Sequence, residues 1–213
     1  YARFISISHA QAQLNPELPF VATVYNGIRV DRFDFNGSPG EYVVFLGRIS
    51  PEKGTRQAIL AAQKAGVPIV LAAKVDTVDR AYFNLEVKPL IDNDQVQYVG
   101  EVDHEQKNRI LRNARALLTL IQWEEPFGLV MAEAFACGTP VIAIPRGSVP
   151  EIVEDGKTGF LVKDVDEAAE AIRKVDQIDR QACRKVAEER FSTEIMVDNY
   201  VKAYQQVIEG WRK

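Results

Sequence analysis

Short apolar runs alternate with helix-like segments along most of the chain, and this alternation limits the possible folds more than any other feature. From residue 41 onward the apolar runs are EYVVFLG, VPIVLAA, QVQYVG, RALLTLI, PVIAI and GFLV. The segments between them have the period of a helix, at residues 55–65, 77–91, 103–114 and 164–174. Short apolar strands that alternate with helices form a parallel sheet covered on both faces. The sequence therefore predicts an α/β domain with a doubly wound, Rossmann-like parallel sheet.

Two flanks lie outside this alternation. Residues 1–36 hold two strand-like runs, RFISIS and FVATVYNGI, joined through LNPELP. The first run starts almost at Tyr1 without a lead-in, which is typical of a piece cut from a larger protein. Residues 178–213 have the period of an amphipathic helix. Its last turns carry a set of apolar side chains, Tyr200, Tyr204, Val207, Ile208 and Trp211. A tail with so much apolar surface is expected to pack on a partner surface.

Net charge and cysteine use exclude several classes of protein. The 213 residues carry a net charge of −4, which gives no indication of a surface for nucleic acid or another polyanion. No apolar run approaches the roughly 18 residues of a membrane-spanning helix. The two cysteines, Cys137 and Cys183, are far apart and lack metal-ligand spacing. This favours a reduced, cytoplasmic setting over a disulfide framework.

The end of the first core strand carries two cations in GRISPEKGT, residues 47–55. In such sheets, ligands bind beyond the carboxyl ends of the strands. Arg48 leaves the strand, and Lys53 precedes a helix whose predicted N-cap is Thr55. Two cations beside a helix N-terminus can bind an anion such as a diphosphate. The alternative is two solvated cations on a surface loop, and the pattern is neither a Walker loop nor G-x-G-x-x-G.

A single carboxylate, Glu133, stands in the apolar stretch WEEPFGLVMAEAFACG, residues 123–138. It is the only charged residue from Phe127 to Cys137. A helix that is apolar nearly all round is buried, and burial of an unpaired charge costs several kcal/mol. Glu133 is therefore predicted to line a cavity. The alternative is a buried glutamate paired with a structural Arg or Lys.

The start of the same helix offers backbone donors. Pro126 suits the first helical position, with Glu125 at or just before the N-cap. The amides of Phe127, Gly128 and Leu129 are then predicted to point out of the helix start without partners. The glycine among them allows a ligand to approach the backbone closely.

A third stretch, GSVPEIVEDGKTGFLV at residues 147–162, follows the PVIAI strand. Its turn residues predict a loop, a short helix, a turn and a strand. Gly147 and Ser148 would lie beside the helix of Glu133. The two histidines, His9 and His104, have no partner at metal-ligand or triad spacing.

Together these stretches resemble the carboxyl-terminal domain of a retaining glycosyltransferase of family 4, with GT-B architecture. The resemblance rests on VVFLGRISPEKGT, EEPFGLVMAEAFACGTPVIA and GSVPEIVEDGKTGFLV in this order. Glu125 and Glu133 match the E-x7-E signature of that family. The resemblance implies three parts: a remnant of an amino-terminal domain and linker at 1–36, a nucleotide-sugar-binding α/β domain at 37–195, and a carboxyl-terminal helix at 196–213 that packs on the missing domain.

The resemblance also implies roles for nine residues. The catalytic group is Arg48, Lys53 and Glu125, and the donor-binding group is Gly47, Val102, Phe127, Gly128, Leu129 and Glu133. The two cations would hold the diphosphate of a sugar nucleotide, and Glu133 would accept hydrogen bonds from the ribose hydroxyls. Glu125 and the helix amides would contact the donor sugar and the distal phosphate, while the backbone near Glu101 and Val102 would meet the base. Members of this family need neither a metal nor a cofactor, because cations and the helix dipole neutralise the departing diphosphate.

The implied function is transfer of a sugar from a nucleoside-diphosphate sugar, with UDP favoured and GDP or ADP as alternatives. The acceptor would be bound mainly by the missing amino-terminal domain, so this chain would be a donor-binding half that is inactive alone. No nucleic acid is implied as a partner, and contact with a membrane surface would come only through the missing part. Three other functions stay open: a GT-B sugar-nucleotide epimerase, a phosphorylase, and a non-catalytic nucleotide-binding module.

Overall fold

The six apolar runs form the six strands of one parallel sheet, as predicted. The structure, a computed structural model, describes residues 2–211. The structure does not describe the side chain of Trp211, so the predicted place of this side chain in the apolar tail lies outside what is described. Two further strands form a separate parallel pair near the amino-terminal end. The eight strands of residues 2–211 are β1 Phe4–Ser6, β2 Phe20–Thr23, β3 Val43–Arg48, β4 Ile69–Lys74, β5 Val96–Gly100, β6 Ala116–Thr119, β7 Val141–Ala143 and β8 Gly159–Leu161.

The order of the strands creates a crevice at one edge of the large sheet. The order is β5-β4-β3-β6-β7-β8, so the chain builds outward from β3 in one direction and then returns to the other side of β3. Neighbouring loops diverge where the direction changes, between β3 and β6. A crevice forms there, beyond the carboxyl ends of the strands. The predicted doubly wound α/β fold is confirmed.

Helices cover both faces of the sheet, and polar caps fix several of their starts. Asp103 accepts a hydrogen bond from the amide of Gln106 at 2.8 Å, and the Gln106 side chain accepts from the Asp103 amide at 3.1 Å. This capping box starts the helix predicted at 103–114. The α-helices of residues 2–211 are α1 His9–Gln13, α2 Thr55–Ala65, α3 Arg80–Tyr82, α4 His104–Asn113, α5 Leu129–Ala136, α6 Val149–Ile152, α7 Val165–Lys174, α8 Arg180–Arg190 and α9 Thr193–Trp211.

The prediction of one regular helix at 77–91 is wrong. The segment consists of four short pieces: a 3-10 turn at Thr77–Asp79, α3, a π turn at Phe83–Val87 and a 3-10 turn at Lys88–Leu90. Pro89 contributes to the break at the end of the segment, because it lacks the backbone N–H that a regular helix would bond to the carbonyl oxygen four residues earlier. Three more 3-10 turns lie at Val30–Arg32, Pro51–Lys53 and Val175–Gln177.

The amino-terminal flank holds a helix that was not predicted. Ser8 ends the RFISIS run and caps α1, since its hydroxyl accepts from the amide of Gln11 at 3.0 Å. The carboxylate of Glu151, on α6, accepts from the amides of His9 at 2.8 Å and Ala10 at 2.7 Å. Glu151 therefore ties the start of α1 to the large domain. The predicted division at residues 36 and 195 stays a prediction, although the last helix begins at Thr193 rather than at residue 196.

The hydrophobic core lies between the sheet and its helices. All three residues of β7 are buried, as are Ala116, Leu117 and Leu118 of β6. Helix α9 packs against α8 and β2 but leaves an apolar stripe exposed, formed by Val197, Val201, Tyr204 and Ile208. No helix among residues 2–211 combines the length and the apolar character that crossing a membrane requires.

Candidate functional site

A cleft of about 790 Å³ opens at the crevice where the strand order reverses. The structure brings all nine predicted site residues to its walls: Gly47, Arg48, Lys53, Val102, Glu125, Phe127, Gly128, Leu129 and Glu133. These residues come from five segments of the chain, so only the fold brings them together: the end of β3, the turn after it, the loop after β5, the loop before α5, and α5 itself. Besides Glu101, four further polar residues line the cleft, Asn26, Lys74, Lys107 and Trp123. No sequence motif indicated a role for any of these four.

The loop after β3 presents Lys53 through a tight turn. Residues Pro51–Lys53 form one 3-10 turn, and Gly54 then adopts φ +70°, in the left-handed region. A Cβ atom at Gly54 would lie 1.9 Å from the carbonyl oxygen of Leu120, so only glycine fits here. Helix α2 begins at Thr55 with Gly54 as its N-cap residue, which corrects the prediction that Thr55 is the cap. The threonine hydroxyl is buried and has no hydrogen-bond partner among the described residues.

Arg48 lies at the cleft among three carboxylates. Its guanidinium group forms an ion pair with Glu52, four residues further along the chain. It also lies 3.5 Å from an oxygen of Asp79 and 3.8 Å from an oxygen of Asp76. Its side chain is 42% exposed, so the charge still meets solvent. Arg48 is therefore a cation held in place by acidic neighbours rather than a freely solvated one.

Lys53 and Glu125 meet across the cleft. The Lys53 ammonium donates to Oε2 of Glu125 at 2.5 Å, and the two side chains are 27% and 12% exposed. Lys53 was predicted to bind an anion together with Arg48, and Glu125 to contact a sugar. The structure places these two side chains in direct contact.

The backbone around Glu125 is held by the loop that follows β7. The amide of Gly147 donates to the side chain of Glu124 at 2.6 Å, and the amide of Ser148 donates to the carbonyl oxygen of Glu125 at 2.8 Å. The Ser148 hydroxyl donates to the carbonyl oxygen of Phe127 at 2.9 Å. Gly147 and Ser148 were expected to lie beside the helix of Glu133. They hold the loop that precedes that helix.

The helix that carries Glu133 starts later than predicted. Helix α5 begins at Leu129, not at Pro126, and its N-cap is Gly128 with φ +76°. The left-handed Gly128 prevents helical geometry from extending back to Pro126. Phe127 precedes the helix, and its ring is buried at 2% exposure. Of the three amides predicted to point out of the helix start, those of Gly128 and Leu129 belong to it.

Glu133 pairs with a lysine at the cleft wall. The ammonium group of Lys107, on α4, donates to Oε1 of Glu133 at 2.5 Å. The side chains are 23% and 16% exposed, so the pair is largely buried and still open to the cleft. Both interpretations of Glu133 therefore hold in part, because the carboxylate lines a cavity and is paired with a cation. Lys107 lies five residues after Val102 in the chain, but no sequence signal linked it to Glu133.

The far end of the cleft is formed where β4 and β5 end. Glu101 and Val102 line it directly after β5, and Lys74 lines it at the end of β4. Lys74 donates to Asp76, whose carboxylate raises the pKa of the Lys74 ammonium. Each of the four cations in the cleft, Arg48, Lys53, Lys74 and Lys107, thus has a carboxylate partner in this structure.

None of the two cysteines and two histidines lines the cleft. Burial raises the pKa of the Cys137 and Cys183 thiols to about 12, so both stay protonated near neutral pH. His104 contacts the carbonyl oxygen of Arg32 at 3.1 Å. Within residues 2–211, no group of three or more His, Cys, Asp and Glu side chains is arranged to hold a metal ion.

Comparison with known proteins gives one family and a set of similar chains. The model of a family described as "Glycosyl transferases group 1" matches residues 30–190. The chain is 32% identical over 184 residues to D-inositol 3-phosphate glycosyltransferase of Mycolicibacterium smegmatis, covering 80% of this chain and 41% of that protein. It is 30% identical over 176 residues to an uncharacterized 41.2 kDa protein in the cps region of Klebsiella pneumoniae, covering 76% of this chain and 46% of that protein. The chain spans about half the length of the curated relatives it matches.

Two solved structures share the fold. One is AviGT4, a glycosyltransferase involved in Avilamycin A biosynthesis, with a TM-score of 0.81 and 24% identity, covering 97% of this chain and 64% of that one. The other is Alr3699/HepE from Anabaena in complex with UDP and glucose, with a TM-score of 0.75 and 22% identity, covering 98% of this chain and 62% of that one. At these identities, the likeness shows a common fold.

Proposed function

The chain belongs to the glycosyl transferases group 1 family, and on this premise we propose that it is the donor-binding half of a retaining, metal-independent glycosyltransferase. The observation that carries the proposal is the convergence of all nine predicted residues on one cleft at the strand reversal. Cations, carboxylates and the start of a helix face the same space there. This combination suits a ligand with a diphosphate at its centre and hydroxyl groups on either side.

The diphosphate of the donor is proposed to lie near Lys53 and Arg48, close to the start of α5. Lysine and arginine stabilise the negative charge that grows on the diphosphate as the bond to the sugar breaks, and the positive end of the helix dipole adds to this. Both cations are already held by carboxylates in the structure. These side chains are therefore already ordered, so donor binding would cost little further side-chain conformational entropy.

The two glutamates of the E-x7-E signature are proposed to bind the donor's two sugars. Glu133 is proposed to accept hydrogen bonds from the ribose hydroxyls, and Glu125 to contact the transferred sugar. The base is proposed to reach the backbone at Glu101 and Val102, at the far end of the cleft. Retention of the anomeric configuration is supported by the resemblance of this signature to family 4.

We propose UDP as the nucleotide, with GDP and ADP as the alternatives. Complexes of Alr3699/HepE from Anabaena with UDP and with UDP-glucose share this fold, which supports the choice. A reduced, cytoplasmic setting is supported by the two free cysteines, both buried.

Added UDP is expected to stabilise the purified chain without a divalent metal. At 100 times its dissociation constant, a ligand that binds only the folded state adds about 2.7 kcal/mol to the free energy of unfolding. For a domain of this size, that corresponds to a rise in Tm of roughly 5–10 °C. The measurement is a thermal melt with UDP, GDP or ADP, with EDTA present. Uridine without phosphate and the variant Lys53→Met serve as controls, and both should reduce the shift.

The variant Lys64→Met is the matched control for the lysine. Lys64 pairs with Asp166 on α7 and lies outside the cleft, so its loss should leave the nucleotide shift unchanged. A chain whose Tm does not respond to any of the three nucleotides at millimolar concentration would contradict the proposed donor site.

Sugar transfer is expected to require more than these 213 residues. Transfer needs the reacting atoms held about 3–3.5 Å apart in the correct alignment. The proposed donor cleft is open on one side, and the curated relatives are about twice as long as the matched segment. The measurement is release of UDP from UDP-glucose in the presence and absence of sugar acceptors. Slow hydrolysis is compatible with the proposal, whereas rapid acceptor-dependent transfer by the chain alone would overturn the donor-half assignment.

A further inference from the structure

Trp123 lies at the cleft wall beside two of the residues assigned to catalysis, although no motif pointed to it. Its indole Nε1 donates to Oε2 of Glu125 at 3.1 Å. The Lys53 ammonium lies 4.9 Å from the centroid of the same indole ring. Because Lys53 also donates to Oε2 of Glu125, the three side chains form a closed triangle.

The triangle leaves one oxygen of Glu125 free. Both hydrogen bonds that the described residues give to its carboxylate end on Oε2, and none ends on Oε1. A carboxylate that is fixed through one oxygen presents the other in a defined direction. Oε1 of Glu125 is therefore the atom available to a ligand.

The indole ring is suited to hold a lysine as well as a carboxylate. It offers an N–H donor at its edge and an electron-rich face that attracts cations. A phenylalanine ring would keep the face and lose the donor, and a leucine side chain would supply neither. Lysine has a long flexible chain, so contact on two sides restricts where its charge can point.

Hydrogen bonds hold the residues on both sides of Trp123, one through the backbone of Gln122 and one through the side chain of Glu124. The amide of Gln122 donates to the carbonyl oxygen of Glu52 at 2.7 Å, and the Glu124 side chain accepts from the amide of Gly147 at 2.6 Å. The indole is nevertheless 38% exposed. It lines the cleft from a rigid base instead of filling the core.

We propose that Trp123 is a positioning residue for the donor reaction, since its indole fixes Lys53 and Glu125 in the geometry in which they meet the diphosphate and the transferred sugar. The inference rests on the proposed function, because it takes the donor's diphosphate and sugar to lie against these two residues. Trp123 acts through Lys53 and Glu125 and does not itself bind the nucleotide.

A double-mutant cycle on UDP affinity tests this mode of action. Isothermal titration calorimetry measures the Kd of UDP for the wild-type chain, Trp123→Leu, Lys53→Met and the double variant. Trp123→Leu is expected to weaken binding about tenfold, as expected for the loss of one charge-assisted contact. The double variant should bind no more weakly than Lys53→Met alone, because the indole has no cation left to position. Additive losses would overturn the proposal, since Trp123 would then act independently of Lys53.

Conservative replacement separates positioning from folding. Trp123→Phe keeps the ring face, so it is expected to recover most of the affinity that Trp123→Leu loses. The Tm of each variant without nucleotide is measured alongside, and affinity losses should not follow Tm losses across the series. If UDP affinity follows Tm alone, Trp123 has only a structural role and the proposal is wrong.

A measurement without nucleotide separates this proposal from the proposed function. The chain has two tryptophans, so the variant Trp211→Phe leaves Trp123 as the only indole emitter. In this background, Lys53→Met and Glu125→Gln should each shift the Trp123 emission maximum, whereas Lys64→Met should not. Unchanged emission in the first two variants would disprove the triangle. If the emission shifts but the chain binds none of the three nucleotides, the side-chain contacts are upheld. The absence of nucleotide binding would then overturn the donor function, and with it the role proposed for Trp123.

Discussion

Replacement of Arg180 by methionine is expected to lower the free energy of unfolding by roughly 3 kcal/mol. Arg180 is 6% exposed, and its guanidinium group donates to three backbone carbonyl oxygens and one hydroxyl. Those acceptors are Asn36 O at 2.7 Å, Ala114 O at 3.1 Å, Arg112 O at 3.2 Å and Thr139 Oγ1 at 2.9 Å. Burial lowers the pKa of this guanidinium group, which still keeps its charge at neutral pH.

Two opposing terms set the size of this effect. Burial of the cation costs several kcal/mol, which methionine would avoid. The hydrogen bonds that methionine removes are charge-assisted, at about 1.5–3 kcal/mol each. Four such bonds exceed the desolvation cost. The loss also leaves buried carbonyl oxygens without this donor, at about 1–3 kcal/mol for each one that stays unpaired.

Equilibrium unfolding in urea tests this prediction. An unchanged m-value, the slope of the free energy of unfolding against urea concentration, indicates that only stability has changed. Lys185→Met is the matched control, because Lys185 lies on the same helix with its side chain 68% exposed. Its effect should stay within about 0.5 kcal/mol. Arg180→Lys should also destabilise, since an ammonium group cannot reach four acceptors in the geometry of a planar guanidinium. Equal stability of the methionine variant and the wild type would show that the desolvation cost fully offsets the hydrogen bonds, which would contradict the prediction.

Glu133→Gln is expected to weaken UDP binding about 10- to 100-fold, which corresponds to about 1.5–3 kcal/mol for a hydrogen bond to a charged group. A neutral amide oxygen accepts a ribose hydroxyl less strongly than a carboxylate, and the amide NH2 would face hydroxyls as a competing donor. The side chain keeps its size, so packing on α5 is preserved. The measurement is the Kd of UDP by calorimetry, with Tm recorded in parallel.

The Lys107–Glu133 pair requires its own control. Loss of the charge leaves Lys107, at 23% exposure, beside a neutral amide. For a pair that is largely buried but still meets the cleft, we expect a stability cost of about 1–3 kcal/mol, between that of an exposed and that of a fully buried pair. Lys107→Met removes the pair from the other side and keeps the carboxylate. If Glu133 binds ribose, Glu133→Gln should weaken UDP binding more than Lys107→Met does. Normal UDP affinity in a Glu133→Gln chain that melts much earlier would favour a purely structural ion pair.

Glu170→Gln serves as the surface comparison. Glu170 pairs with Arg173 on α7, and its side chain is 71% exposed. Its replacement should change neither Kd nor Tm measurably. A loss of UDP affinity in this variant would show that net charge, not the position of the carboxylate, governs binding.

The central strands of the large sheet could be predicted because they are buried on both faces and form short apolar runs. The edge strand β5 exposes Gln97 and Val99 but keeps enough apolar residues to follow the same pattern. The segment at 77–91 could not be predicted as well, since its helical period competes with Pro89 and periodicity does not show which influence prevails. The start of α5 was misplaced for a similar reason. Proline is common at the first position of a helix, but the left-handed conformation of Gly128 fixes the start at Leu129.

The predicted site residues come from motifs that are visible in the chain and from the roles that their resemblance to a known family implies. Lys107 and Trp123 were missed because their importance arises from contacts between different elements. Lys107 reaches Glu133 because α4 packs beside α5, and Trp123 contacts Lys53 because two loops meet above the sheet. A lysine on an amphipathic helix and a tryptophan in a loop look ordinary until the fold supplies their neighbours. The motifs and the family resemblance therefore identified nine residues of the cleft, and the structure showed which side chains they contact.

The close contact at Gly54 has a practical consequence for redesign of the cleft. The loop of Lys53 and the loop of Trp123 are joined by the fit of Gly54 against Leu120 and by the bond from the Gln122 amide to the Glu52 carbonyl. An insertion or deletion in one loop would disrupt these contacts and displace the other loop. Under the proposed function, nucleotide preference is therefore best changed by transplanting both loops together from one relative, and single-loop chimeras should be unstable or lose nucleotide binding.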